Sequence, residues 1–238
     1  MAMIRGIIFD KDGTLFNFQA SWGAWSAALL TDLGQGDPAR AAALGDAIGF
    51  DMASLRFAPD SPVIAGTPGE IAEVLLAQLP GMTLGALVAR MNTQATTTRM
   101  SEAVPLVPLF DGLRARGLLL GLATNDGEAP ARAHLASVGV QDHFDYVAGS
   151  DSGHGGKPAP GMLLAFAAQF DLTPGEVVMV GDSLHDLMAG RTAGMTTIGV
   201  LTGPAEAGDL APMADAVLPD IGHLPAWLDG RATHFAPG

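Results

Sequence analysis

Four short stretches of this chain carry side chains that could do chemistry together. The first is Phe9-Asp10-Lys11-Asp12-Gly13-Thr14-Leu15. Two carboxylates two residues apart in extended chain share a face. At an effective dielectric of about 20, two such charges ~4 Å apart repel by about 4 kcal/mol. A divalent cation offsets that, and so does a proton held on one Asp. Gly13 lets the backbone turn sharply. A capping Asp followed by an Asp-Gly turn accounts for the residues equally well. The second stretch is Ala123-Thr124-Asn125, where a hydroxyl and an amide can hold an anionic oxygen without adding charge. Taken alone, Thr124 and Asn125 read more simply as a helix cap. The third is Gly155-Gly156-Lys157-Pro158-Ala159-Pro160. It is not a P-loop, because Asp151 stands where the first glycine belongs and Pro158 stands where Ser or Thr belongs. Lys157 can still be a point charge meeting a phosphate or buffering a carboxylate. The fourth is Val180-Gly181-Asp182-Ser183-Leu184-His185-Asp186. Asp182 and Asp186 lie four apart and approach one helical face if the helix starts early. Acids at a helix start are also favoured by the dipole alone. His185 reads as a cap or surface residue, since a Mg²⁺ site prefers oxygen.

Each stretch sits at the end of a buried strand or in the loop after one. Apolar runs at 4–9 (IRGIIF), 118–123 (LLLGLA), 144–148 (FDYVA), 177–180 (VVMV) and 197–200 (TIGV) read as strands, with 214–218 (ADAVL) a weaker one. Helical patterns cover 109–116, 128–138, 161–170 and 184–193, most of them closed by glycine. The alternation predicts an α/β core, a Rossmann-like parallel sheet covered on both faces with right-handed crossovers. Residues 16–100 differ. They show no strand run and read as helices at 20–33, 38–48, 69–79 and 84–99, separated by Pro and Gly. The expected organisation is a core of 1–15 and 101–238 with an inserted all-α helical-bundle domain at 16–100. In open α/β sheets ligands bind at the carboxyl ends of strands, where all four stretches fall.

Composition narrows the partners. The chain has 238 residues, 48% apolar and 16% charged, so it should fold. Its net charge of -13 and the lack of any Lys/Arg cluster argue against nucleic acid and anionic lipid. No apolar run is long enough for a membrane span, and the first ten residues lack an export pattern. With no cysteine there is no disulfide framework and no thiolate nucleophile or metal ligand, in keeping with a cytoplasmic enzyme. Ten of the twelve basic residues are Arg; the two lysines, Lys11 and Lys157, both lie in the stretches above.

Taken together, the four stretches resemble the phosphatase branch of the haloacid dehalogenase superfamily. DKDGT is similar to its DxDGT signature, TN to its second motif, KPAP to its lysine motif and GDSLHD to its acidic fourth motif, in the same order. The helical segment at 16–100 resembles the cap found after the first motif. The segments around GGKPAP and GDSLHD look most like the phosphoglycolate phosphatase-like enzymes. The resemblance implies an Asp10 nucleophile forming an aspartyl-phosphate and an Asp12 acid and base. It implies that Thr124, Asn125 and Lys157 hold phosphoryl oxygens. It places Mg²⁺ on Asp10, the Asp12 backbone carbonyl and Asp182, with Asp186 behind a water or orienting Asp182. The substrate would be a small phosphorylated metabolite, phosphoglycolate or similar. Charge supports a metal, because four carboxylates and a phosphate dianion face one ammonium. A phosphomutase of the same superfamily, a 2-haloacid dehalogenase and a phosphate-binding module are the other readings. The dehalogenase needs neither metal nor a second Asp.

The sequence departs from the family at Lys11, where aliphatic residues are usual. An extended chain turns Lys11 away from both acids, so a structural role is expected. Phe16-Asn17-Phe18-Gln19 stands where many relatives carry an acidic residue and Ser. Trp22 and Trp25 are expected in the core of the helical segment, and Arg56 and Arg99 on its surface.

Overall fold

Gly6–Phe9 is flanked by strands on both sides, so its two faces alternate into two apolar layers. This computed structural model describes residues 3–233; residues 1, 2 and 234–238 of the expected core lie outside that range. The core strands are β1 (Gly6–Phe9), β4 (Leu119–Ala123), β5 (Tyr146–Ala148), β6 (Val177–Gly181), β7 (Thr196–Val200) and β8 (Ala216–Leu218). They form one parallel sheet in the order β5-β4-β1-β6-β7-β8. This is the doubly wound order, which reverses direction beside β1. Each run is rich in Val, Ile and Leu because parallel strands are covered on both faces. Ile7, Phe9, Leu120, Leu122, Val178 and Val180 pack on one side under α5 (Leu106–Ala115), α6 (Glu128–Ser137) and α10 (Leu224–Thr233). Ile8, Val177 and Met179 pack on the other under α7 (Gly161–Gln169) and α8 (Leu184–Ala193). The short helix α9 (Ala207–Leu210) lies between β7 and β8 and buries Leu210.

Between β1 and α5 the chain makes α1 (Phe18–Leu33), α2 (Pro38–Ala47), α3 (Pro68–Leu76) and α4 (Leu84–Ala95). Local signals start each one. Asn17, Asp37, Thr67 and Thr83 cap the four helices, and Thr67 with Glu70 forms a capping box. Their inward faces bury a separate cluster that includes Trp22, Leu30, Leu44, Ile71, Leu75 and Met91. The insert is not purely helical. Strands β2 (Phe50–Asp51) and β3 (Arg56–Phe57) form a small antiparallel hairpin. Asp51 accepts from Ala53 N at 2.8 Å to close its turn, while Phe50 and Phe57 pack with ring centroids 4.7 Å apart. Two residues per strand are too few to show alternation in sequence. The insert leaves and rejoins the core side by side: Asn17 N donates to Ser101 O and Ala103 N donates to Leu15 O, both at 2.8 Å. No helix is long and apolar enough among the described residues to cross a membrane.

Candidate active site

The reversal of strand order opens a crevice beside β1, and the side chains singled out in sequence converge there. Asp10 leaves the end of β1, Thr124 and Asn125 leave β4, and Asp182 leaves β6. Asp186 sits in the first turn of α8. Carboxylate oxygens of Asp10, Asp182 and Asp186 lie within 4.8 Å of one another, and all three residues are buried. Lys157 balances them. Its Nζ lies 2.5 Å from Asp10 Oδ1 and 2.6 Å from Asp186 Oδ1, and it donates to Ala123 O at 2.7 Å.

Burial pushes Asp10 up to about 7, with Lys157 opposing and Asp186 and Asp12 reinforcing the shift. Burial, then Asp10 and Asp186, hold Asp182 well above the usual carboxylate range. Burial pulls the Lys157 ammonium down, but Asp10 and Asp186 more than offset it and leave it raised. Three buried carboxyls against one ammonium leave surplus negative charge at a point lined by oxygen donors. That donor set suits a hard divalent cation, so Asp10, Asp182 and Asp186 fit Mg²⁺. The Asp12 carboxylate is not in that group.

Asp182 is fixed on several sides. Thr14 Oγ1 donates to its Oδ1 at 3.2 Å. Gly13 has φ +83°, and a Cβ there would lie 2.2 Å from Asp182 Oδ2. A Cβ on Gly203 would lie 1.7 Å from the same oxygen. Thr202 Oγ1 donates to Gly13 O at 2.5 Å and ties the two loops together. Asp186 also caps its own helix, with Oδ2 accepting from Ser183 N at 3.0 Å and Ser183 Oγ at 2.7 Å.

Asn125 is spent on positioning. Its Nδ2 donates to Ala65 O of the insert at 2.8 Å and to Lys157 O at 2.9 Å, while its Oδ1 accepts from Lys157 N at 2.7 Å. Thr124 Oγ1 accepts from Asp126 N at 3.1 Å, which leaves its own proton to give. His185 is exposed at the cleft rim.

Lys11 corrects the sequence reading, and Trp22 adds to it. Asp12 Oδ2 accepts from Lys11 Nζ at 2.5 Å, and Asp12 Oδ1 accepts from Trp22 Nε1 at 2.6 Å. Strand alternation ends at Phe9, so it does not carry Lys11 away from Asp12. Lys11 is fully buried, 3.3 Å from both Asp126 Oδ2 and His134 Nδ1. Burial opposes its charge, but Asp12 and Asp126 hold its ammonium above the ordinary lysine range. Trp22 does belong to the insert's core, yet its indole edge also reaches the site. Trp25 packs edge-on against Trp22 and also lines the cleft. Arg56 and Arg99 are exposed, as expected, and neither lines the cleft. Asp126, His134, Thr14, Thr202 and Gly203 were not legible as site residues. Asp126 directly follows the Thr124-Asn125 pair and Thr14 closes the DKDGT stretch, and those adjacencies are the sequence signals for them.

The family profile described as haloacid dehalogenase-like hydrolase matches residues 7–200. A phosphoglycolate phosphatase of Rhodospirillum rubrum is 29% identical over 95% of this chain and 91% of its own. A crystal structure of a predicted phosphoglycolate phosphatase from Haemophilus somnus 129PT superposes with TM-score 0.73 at 18% identity, covering 95% of this chain and 99% of that one. The L-2-haloacid dehalogenase of Xanthobacter autotrophicus has the same fold, with TM-score 0.62 at 19% identity over 96% and 99% of the two chains. Fold alone therefore does not choose the chemistry. The profile match spans most of the chain, and the convergent acids and lysine lie within it: this protein belongs to the haloacid dehalogenase-like hydrolase family.

Proposed function

We propose that the chain is a Mg²⁺-dependent phosphatase for a small phosphate monoester, acting through Asp10. The observation that carries this reading is the buried group of Asp10, Asp182 and Asp186 around Lys157, with a separately held second acid, Asp12. A dehalogenase has no use for that surplus of acids. Asp10, Asp182 and the Asp12 backbone carbonyl would hold Mg²⁺, with Asp186 behind them. When bound, the ion would neutralise phosphoryl charge and lower the cost of ionising Asp10.

The chain's own groups divide the rest. A carboxylate oxygen of Asp10 attacks phosphorus as the bond to the alcohol oxygen breaks. Asp12 gives its proton to the departing alkoxide. It then takes one from the water that attacks the aspartyl-phosphate, and phosphate leaves with Asp10 restored. Lys157 and the free proton of Thr124 stabilise phosphoryl oxygens in both steps. Asn125 acts through Lys157, holding its backbone in place. Residues 16–100 form a cap over this chemistry, carried by the paired connections at Asn17 and Ser101.

The test is phosphate release from para-nitrophenyl phosphate, with Mg²⁺ and with chelator. Asp10→Asn is expected to lower turnover by about a thousandfold or more while the chain stays folded by circular dichroism. Near-wild-type turnover in that variant, or activity indifferent to chelator, rejects the assignment.

A further inference from the structure

The wall that the insert presents to the site has no cation in it. Among the described residues, the cleft is faced from the insert by Phe18, Trp25, Ile64, Ile71 and Met91, with Asn92 as the polar side chain. Asn92 is itself pressed against Gly127, where its Nδ2 lies 3.0 Å from the position of a Cβ. The four arginines of residues 16–100 lie elsewhere. Arg40 bonds Gln35, and Arg90 pairs with Asp32. Arg56 lines an adjoining groove that shares Phe18 and Ile64 with the cleft, and Arg99 one that shares Trp25, but neither arginine lines the cleft itself. On the core side Lys11 is engaged by Asp12 and Asp126, and Lys157, beside Asp10 and Asp186, serves the phosphoryl group.

A carboxylate on the leaving group would therefore face an apolar wall in a cleft whose other lining includes Asp12 and Asp126. It would lose its water without gaining a partner, and it would be repelled. A sugar or polyol would bring hydroxyls to an insert wall whose side chains, Asn92 apart, offer them no acceptor. A short alkyl group loses nothing there and removes apolar surface from water. The cleft offers about 80 Å³ to the whole substrate, phosphoryl group included, against ~150 Å³ for a cavity that holds benzene, so the alcohol must be compact.

Resting on the phosphatase reading above, we infer that the substrate is the phosphate monoester of a compact, uncharged, largely apolar alcohol. It is not that of a hydroxy acid such as glycolate, despite the names of the relatives.

The experiment compares kcat/KM for n-propyl phosphate, glycerol 1-phosphate and 2-phosphoglycolate with Mg²⁺ present. Propyl phosphate and phosphoglycolate are nearly equal in size and differ in charge. Propyl phosphate is expected to exceed phosphoglycolate by about 100-fold or more, with glycerol phosphate between them. Ile64→Arg places a cation on the wall and should narrow that ratio by about tenfold or more, mainly by raising phosphoglycolate turnover. Equal or better use of phosphoglycolate by the wild-type protein overturns the inference and leaves the phosphatase reading standing. So does a ratio that Ile64→Arg does not move while propyl phosphate is still hydrolysed. No release from these esters or from para-nitrophenyl phosphate defeats the phosphatase reading itself.

Discussion

Asp182 has almost no room to move, and that confinement explains why its neighbours are glycines. Gly13 and Gly203 approach one of its oxygens so closely that any side chain would displace it. Thr14 and Thr202 fix the same corner with hydroxyls, which add no charge. Crowding three acids this way has a thermodynamic consequence. In the folded chain burial and neighbouring acids raise Asp10 to about 7 and raise Asp182 as well. The unfolded chain loses both protons near pH 4. Between about pH 4 and about pH 7 the folded state therefore holds more protons than the unfolded one, and stability without metal falls as pH rises. The loss is on the order of a few kcal/mol. A divalent cation replaces those protons, so its stabilising effect must grow over the same window. Melting temperatures with and without millimolar Mg²⁺ should differ more at about pH 8 than at about pH 5. A difference independent of pH would mean that the cation does not sit on these carboxyls.

At the scale of elements, β1, α1, α4 and α6 meet through a chain of polar contacts that the sequence did not disclose. Trp22 of α1 donates to Asp12; Lys11, just past β1, bonds Asp12 and lies 3.3 Å from His134 Nδ1 on α6. His134 Nε2 lies 2.7 Å from Ala95 O at the end of α4. The carbonyl can only accept, so Nε2 carries the ring proton and Nδ1 accepts from Lys11. Burial and the Lys11 charge push His134 down to about 4, which keeps it neutral across the working range. Lys11→Met removes the centre of this chain and leaves Asp12 and Asp126 without their ammonium. It is expected to cost about 3–5 kcal/mol in denaturant unfolding. Turnover should also fall, because Asp12 loses the ammonium that holds it in place. Unchanged turnover would confine Lys11 to packing. The sheet and its helices were legible because Val, Ile and Leu runs and 3.6-residue stripes survive in any context. The acids, Thr124 and Lys157 were legible because strand ends announce them. Lys11 and Trp22 were not, because their roles depend on the chain turning after Phe9 and on where the insert's helices come to rest. Those are tertiary facts with no local periodicity.

At the scale of the molecule, charge sets the terms on which substrate arrives. The chain carries -13 overall, and the insert, with four Arg against seven acids, shares the sign of the core. Lys11 and Lys157 are buried and paired, so neither projects a positive field outward. A phosphate dianion therefore diffuses toward a surface that repels it, and attraction begins only inside the cleft. Salt should then help. Between about 0.01 M and about 0.15 M ionic strength the screening length contracts from roughly 30 Å to roughly 8 Å. Repulsion at the approach is screened over that interval, while contacts to buried groups inside the cleft are screened far less. With Mg²⁺ kept saturating, kcat/KM for a phosphate monoester is expected to rise about two- to threefold, with kcat unchanged. A steady-state series in sodium chloride measures it. A fall in kcat/KM with salt would require a positive patch at the cleft mouth, and none of the arginines of residues 16–100 lines the cleft.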